Sequence, residues 1–79
     1  MYETNNYIKF YKGYILVEIH NLFKEIGYTK KQTDKMLKKF AQVDKSCTEM
    51  NYMEIMELII WSFQFGDMLG LNLDFKSYD

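Results

Sequence analysis

Apolar residues in the first third of the chain recur at steps of three and four positions, the spacing that places side chains on one face of a helix. A hairpin around Lys12 and Gly13 is the competing interpretation, but the unbroken apolar run of residues 14–17 lacks strand alternation. We therefore predict a helix from about residue 6 to residue 26, ended by Gly27 in a left-handed conformation. The stripe comprises Ile8, Tyr11, Ile15, Leu16, Ile19, Leu22, Phe23 and Ile26.

Two capping boxes predict where two more helices start. The motifs TKKQ, beginning at Thr29, and NYME, beginning at Asn51, each offer two side chains that satisfy free backbone amides at a helix start. The second helix is expected over residues 30–42 and the third over residues 52–69. The apolar stripe of the second helix comprises Thr33, Met36, Leu37, Phe40 and Val43.

The last residues of the chain predict an extended tail. Gly66 and Gly70 bracket the end of the third helix, and the following LNLDF alternates apolar and polar residues, as a segment does when it lays one side on a surface. No repeat or linker divides the chain. We therefore expect an all-α fold, a small three-helix bundle or helical array with an extended C-terminal tail over residues 70–79, as one domain over residues 1–79.

The third helix is apolar almost all round, so it must be covered on two sides. One interpretation is that tail residues Leu71, Leu73 and Phe75 fold back over it, or that it is the central helix. The other is that its second apolar cluster is a partner-binding surface for a homodimer or a foreign protein. The expected core stripe comprises Tyr52, Ile55, Met56, Ile59 and Phe63. The candidate partner-binding residues are Leu58, Trp61, Phe65 and Leu69.

Charge is distributed unevenly along the chain, although the net charge is only −1. Residues 24–45 contain seven lysines and three acids, whereas residues 46–79 contain six acids and one lysine. The lysines of the second helix are candidates for contact with a nucleic-acid backbone or an acidic protein surface, and a solvated helix face is the alternative. These residues are Lys30, Lys31, Lys35, Lys38 and Lys39. The tyrosines that are candidates to stack on unpaired bases are Tyr7, Tyr11, Tyr14 and Tyr28.

Residues that support catalysis or metal binding are sparse. His20 is the single histidine and Cys47 the single cysteine, and neither has a partner at a catalytic or ligand spacing. Glu54 and Glu57 lie near each other on the third helix, but Glu54 serves as a cap. We therefore expect no enzyme activity, no cofactor and no metal. The single cysteine is typical of a reducing, cytoplasmic setting. No apolar run reaches the roughly 18 residues that span a bilayer, so we expect no membrane segment.

The segment MNYMEIMELIIWSFQFGDMLGLNL, residues 50–73, resembles the C-terminal helix of NinB-type phage recombination proteins. The preceding EIGYTKKQTDKMLKKF resembles the second helix of short phage proteins with this module, so the resemblance covers about the last two thirds of the chain. The chain lacks the region that precedes these helices in full NinB proteins. The resemblance implies binding of single-stranded DNA. The matching residues are Met50, Glu54, Glu57, Leu58, Phe65, Gly66 and Gly70, with similar apolar residues at Ile55, Ile59 and Leu71.

In size, apparent phage origin, charge asymmetry and lack of catalytic residues, the chain is similar to anti-CRISPR proteins. That similarity implies an inhibitor of a host defence nuclease, with a CRISPR effector nuclease or its guide RNA as partner in the bacterial cytoplasm. The alternative is a NinB-like accessory protein that binds nucleic acid in phage recombination.

Overall fold

The computed structural model describes residues 4–75 and contains three main helices. Helix α1 covers residues 4–26 in four continuous stretches: an α-helix at Thr4–Phe10, a π-helical turn at Tyr11–Ile15, an α-helix at Leu16–Phe23 and a 3₁₀ turn at Lys24–Ile26. The π turn was not predicted. It contains Gly13, whose missing side chain eases an irregular helical turn.

Helices α2 and α3 both begin at the predicted capping boxes. Helix α2 is Lys30–Phe40 and α3 is Tyr52–Met68, with a short 3₁₀ turn at Cys47–Glu49 between them. The Thr29 hydroxyl accepts from the Gln32 amide at 3.1 Å. These findings confirm the all-α prediction. The helix ends lie within two residues of the expected positions. Residues 1–3 lie outside the described part.

All three helices end in the same hydrogen-bonded motif, in which a left-handed residue turns the chain back on the last turn. Gly27 and Gly70 supply this conformation for α1 and α3, with φ of 95° and 84°. In α2 the position is held by Gln42 at φ 60°, although its side chain disfavours that region. The Val43 amide donates to the Lys38 carbonyl at 2.8 Å and completes the motif.

The core lies where the three helices meet. Each helix contributes side chains that are almost fully buried, and those of α1 include Tyr11 in the π turn. The apolar stripe of α1 does not stay buried to its end, because Leu22 and Ile26 are exposed. The most deeply buried residues are Tyr11, Ile15, Ile19, Thr33, Leu37, Ile55, Leu58, Ile59 and Ser62.

The buried stripe of α3 is rotated from the predicted one. Tyr52 is exposed, and Met56 and Phe63 are only partly buried, whereas Leu58 enters the core. A helix that is apolar on nearly every side leaves the choice of buried stripe to its neighbours. The residues that face the core are Ile55, Leu58, Ile59, Ser62 and Gly66.

The described part of the tail folds back on the bundle. Leu73 is buried and lies against Gly66, where an added Cβ would stand 2.6 Å from Leu73 Cδ1. The missing side chain at Gly66 therefore makes room for the tail. The predicted tail also includes residues 76–79, which lie outside the described part. Within residues 4–75, none of the helices is long and apolar enough to cross a lipid bilayer.

Candidate partner-binding site

The first aromatic group, here called the tail-covered cluster, joins α1, α3 and the tail. Phe75 stacks on Phe10 with ring centres 5.0 Å apart, and it meets Phe63 edge-on at 5.1 Å. Phe10 is only 6% exposed. The tail therefore covers the Phe63 side of α3. The cluster comprises Tyr7, Phe10, Tyr14, Phe63 and Phe75, with Tyr52 at its margin.

The second aromatic group lies on the other side of α3 and is here called the open aromatic face. Phe65 is two positions from Phe63, so the two side chains point about 200° apart around the helix. Phe40 of α2 contacts Phe65 at 5.3 Å and Trp61 at 5.4 Å, and Phe23 of α1 contacts Phe65 at 6.1 Å. The rings are Phe23, Tyr28, Phe40, Trp61 and Phe65.

The open aromatic face keeps a large part of its rings in contact with solvent. Phe40 is 37% exposed and Trp61 is 41% exposed. Exposed aliphatic side chains extend the face by one helical turn beyond the rings, Leu69 after Phe65 and Ile26 after Phe23. This surface combines flat aromatic area with aliphatic margins, a composition enriched at protein interfaces.

The four predicted partner-binding residues take different positions. Trp61 and Leu69 are exposed and Phe65 is half-buried beneath Phe40, so these three belong to the open aromatic face. Leu58 has no exposed area and lies in the core, which removes it from the accessible surface. Phe40 belongs to the open aromatic face instead, although the apolar stripe of α2 predicted that it lies in the core.

Lysines of α2 line an open groove of about 750 Å³ on the outer side of that helix. Of the five predicted lysines, Lys30 is exposed but lies outside the groove lining. Lys45, which follows α2, also lines the groove, although it was not among the predicted lysines. Its position at the end of the lysine-rich residues 24–45 is the feature of the sequence that indicates it. The charged residues of the groove are Lys31, Asp34, Lys35, Lys38, Lys39, Asp44 and Lys45.

The charges in the groove are not equally available to a ligand. Lys38 Nζ lies 2.8 Å from Asp34 Oδ2, and both side chains are mostly shielded. Lys45 Nζ lies 2.9 Å from Glu54 Oε2. Lys35 and Lys39 form no ion pair within residues 4–75, and each directly precedes a residue of the apolar row Met36 and Phe40. Consecutive side chains of a helix point about 100° apart, so the Lys39 side chain lies a little more than a quarter turn around α2 from Phe40 of the open aromatic face.

A partly buried network holds the groove to α1. The Tyr11 hydroxyl donates to Asp34 Oδ1 at 2.7 Å, and the second Asp34 oxygen pairs with Lys38. Burial raises the pKa of Tyr11 well above its ordinary value, and the hydrogen bond to Asp34 raises it further. Tyr11 thus stays a neutral donor. It is also fully buried, so the prediction that it stacks on bases is wrong.

Four further polar residues have contacts within the fold: His20, Lys45, Cys47 and Glu54. Backbone hydrogen bonding at Asn51, and then the Lys45 ammonium, lower the pKa of Glu54, whereas the hydrogen bond to Glu54 raises the pKa of Lys45. Burial raises the pKa of Cys47, which keeps the thiol protonated. His20 Nε2 lies 3.0 Å from the Tyr28 carbonyl oxygen and connects α1 to the loop before α2.

Within residues 4–75, no group of three or more His, Cys, Asp or Glu side chains is arranged to hold a metal ion. Comparison with protein-family models, curated proteins and solved structures found no match for this chain. The resemblance to NinB-type proteins therefore stays a prediction, and function has to be inferred from the open aromatic face and the lysine groove.

Proposed function

We propose that this chain is a non-catalytic interaction protein that docks on a partner through the open aromatic face. The observation that carries the proposal is the exposure of Trp61 and Phe40 on the side of α3 that the chain's own tail leaves uncovered. Tryptophan and other large rings at the centre of a contact carry much of the binding energy in protein complexes. Two rings from different helices, held edge-on, form a stiff anchor that loses little entropy on binding.

The lysines beside the rings define the chemistry of the partner. Lys39 lies about 100° around α2 from Phe40, so a partner that contacts the rings and extends around α2 also meets positive charge. An apolar pocket with acidic residues at one edge, or a protein carrying bound RNA, complements this surface. A guide-loaded defence nuclease carries bound RNA. We therefore propose that the chain is a phage-derived, anti-CRISPR-like inhibitor that acts in the bacterial cytoplasm on the effector protein or its guide RNA.

The test is cleavage of a matched DNA by guide-loaded CRISPR effectors, with and without the chain. We expect inhibition by the wild type and its loss in the double variant Trp61→Ala with Phe40→Ala. A matched control is Met53→Ala, which removes an exposed apolar side chain outside this face. Full inhibition by the double variant, shown by circular dichroism to be folded, would contradict docking through the rings.

The alternative is a NinB-like protein that binds single-stranded nucleic acid, and it is favoured by the position of exposed rings beside unpaired lysines. Electrophoretic shift with single-stranded DNA at two salt concentrations tests it. Lys35→Glu with Lys39→Glu should weaken binding and reduce its salt dependence. Lys9→Glu with Lys24→Glu makes the same charge change at exposed positions of α1 and serves as control. Binding of bare DNA would support the alternative, and equal effects of the two pairs would contradict it.

A further inference from the structure

The lysine groove on the outer side of α2 is a feature that docking through the open aromatic face does not use. Its lining contains five lysines and two aspartates, hence a net charge of +3. Among the described residues that line it, Val43 is the one apolar residue. The groove is open to solvent rather than enclosed, so it can hold part of a longer chain. Its charge and shape indicate a linear polyanion as ligand.

Three lysines of the groove are available to a ligand, and they are evenly spaced. Lys31, Lys35 and Lys39 are exposed and form no ion pair within residues 4–75. They are four residues apart, so each lies about 6 Å further along the helix axis and about 40° further around it than the one before. Their charges therefore follow one row about 12 Å long.

The acids in the groove leave most of this positive charge uncompensated. Asp34 accepts from the Tyr11 hydroxyl through one oxygen, and its other oxygen lies 2.8 Å from Lys38 Nζ. Asp34 and Lys38 thus neutralise each other beside the row. Asp44, which follows the end of α2, is the one acid of the lining without an ion pair within residues 4–75. Three available lysines therefore face a single unpaired carboxylate.

The residue that turns the chain at the end of the groove has a disfavoured backbone conformation. Gln42 has φ of 60°, whereas Gly27 and Gly70 hold the same position after the other two helices. The turn brings Val43 back to α2, and the residues after Gln42 form the second wall of the groove. Glycine would form this turn without strain, but it would remove the exposed carboxamide from the lining. Strained conformations of this kind cluster at sites that bind ligands.

We propose that the lysine groove binds the phosphate chain of a single-stranded nucleic acid, with one phosphate at each of Lys31, Lys35 and Lys39. The Gln42 carboxamide donates to a phosphate oxygen at the end of this row. Successive phosphates of a strand are separated by a distance comparable with the axial step between the lysines, so the row meets consecutive phosphates. Lysine binds phosphate as a point charge, and the chain contains no arginine for bidentate pairing with carboxylates or guanine. Binding is therefore independent of base sequence.

This inference deepens the proposed function and rests on it for the identity of the strand, which in a loaded nuclease is the guide RNA. It gives the lysines a role separate from that of the rings, because the Lys39 side chain points about 100° away from Phe40 around α2. The rings then contact protein while the groove contacts the RNA backbone.

Fluorescence anisotropy with a short labelled oligouridine at several salt concentrations tests the groove. Each phosphate contact on a single strand contributes about −0.7 to the slope of log K against log salt, so the wild type should give a slope of about −2. Lys35→Gln with Lys39→Gln removes two contacts and should leave a slope of about −0.7. Lys9→Gln with Lys24→Gln removes the same charge from exposed positions of α1 and should leave the slope unchanged. Absence of binding by the wild type at low salt, or equal slopes for the two double variants, would overturn the proposal.

Two variants of Gln42 test the role of the carboxamide. Gln42→Gly should raise the melting temperature, because glycine adopts the left-handed conformation without strain, and should weaken oligouridine binding about threefold through loss of a donor. Gln42→Ala, which loses the carboxamide and keeps the strain, should weaken binding to the same extent. Unchanged binding by both variants would contradict the contact of Gln42 with the strand.

Competition separates phosphate from carboxylate as the ligand. Unlabelled oligouridine should displace the labelled strand at a lower concentration than an oligoglutamate of the same charge, and equal displacement would refute a phosphate site. Nuclease inhibition is measured separately. Inhibition by a chain that does not bind oligouridine would contradict the groove and leave docking through the rings. Oligouridine binding without inhibition would support the groove and contradict the proposed inhibitor.

Discussion

The tail-covered cluster and the open aromatic face are built from the same residue types on two sides of one helix, yet they have different surroundings. Phe63 and Phe65 are two positions apart, and each contacts two other rings. On the Phe63 side, Phe75 of the tail closes over Phe10, whereas on the Phe65 side Phe40 and Trp61 remain exposed. Aromatic content therefore does not separate core from interface; the presence of a covering segment does.

The same substitution on the two sides should give opposite outcomes for stability and binding. Phe10, the buried ring of the tail-covered cluster, contributes to the free energy of unfolding, because its removal leaves a cavity, whereas Phe75 is itself 42% exposed. Phe40 and Trp61 of the open aromatic face already contact water, so we expect their removal to change folding little and to weaken the proposed docking strongly.

The largest effect is expected for Phe10→Ala. Phe10 is 6% exposed and contacts three rings of the tail-covered cluster. Its truncation should lower the free energy of unfolding by about 3–5 kcal/mol, measured by urea denaturation. In a chain of this size such a loss leaves much of the protein unfolded at 25 °C. A loss under 1 kcal/mol would show that the cluster does not contribute to the fold as inferred.

Leu73→Ala should have the next largest effect. The leucine is buried over Gly66 and holds the tail that carries Phe75. We expect a loss of about 2 kcal/mol in the free energy of unfolding, at the low end for a buried leucine because the tail can adjust. Leu69→Ala is the matched control at an exposed position, and its loss should be smaller than 1 kcal/mol by the same reasoning. Equal losses would mean that the tail is not a cover.

Ser62→Ala should stabilise the fold by about 1 kcal/mol. Ser62 lies on the buried stripe of α3 between the two aromatic groups, and its hydroxyl has no hydrogen-bond partner among residues 4–75. Alanine removes the cost of the unsatisfied hydroxyl and favours the helix. Thermal unfolding by circular dichroism measures the change, and a lower melting temperature would contradict the interpretation.

The smallest effect on stability is expected for Phe40→Ala, the direct counterpart of Phe10→Ala. Phe40 is 37% exposed, so its truncation should cost about 1 kcal/mol or less. Its main effect should appear as loss of nuclease inhibition. A loss of stability comparable with that of Phe10→Ala would show that the open aromatic face belongs to the core.

Local signals in the sequence predicted the three helices and most of their ends. The capping residues Thr29 and Asn51, and the left-handed Gly27, act on backbone groups a few positions away, so the sequence predicts them directly. Gln42 shows the limit of such signals, because a left-handed residue without glycine leaves no mark in the sequence. The π turn at Tyr11–Ile15 is a similar case.

The sequence by itself determined three helices, their ends and the existence of an apolar surplus on α3. It did not determine which stripe of α3 is buried, because Leu58 and Phe63 are equally apolar and sequence spacing alone does not rank them. Tertiary structure decided this. Gly66 admits the tail on one side, so Phe75 covers the Phe63 side and leaves Trp61 on the other in contact with solvent. The burial of a side chain depends on residues that are far apart in the sequence, so a local sequence pattern does not predict it.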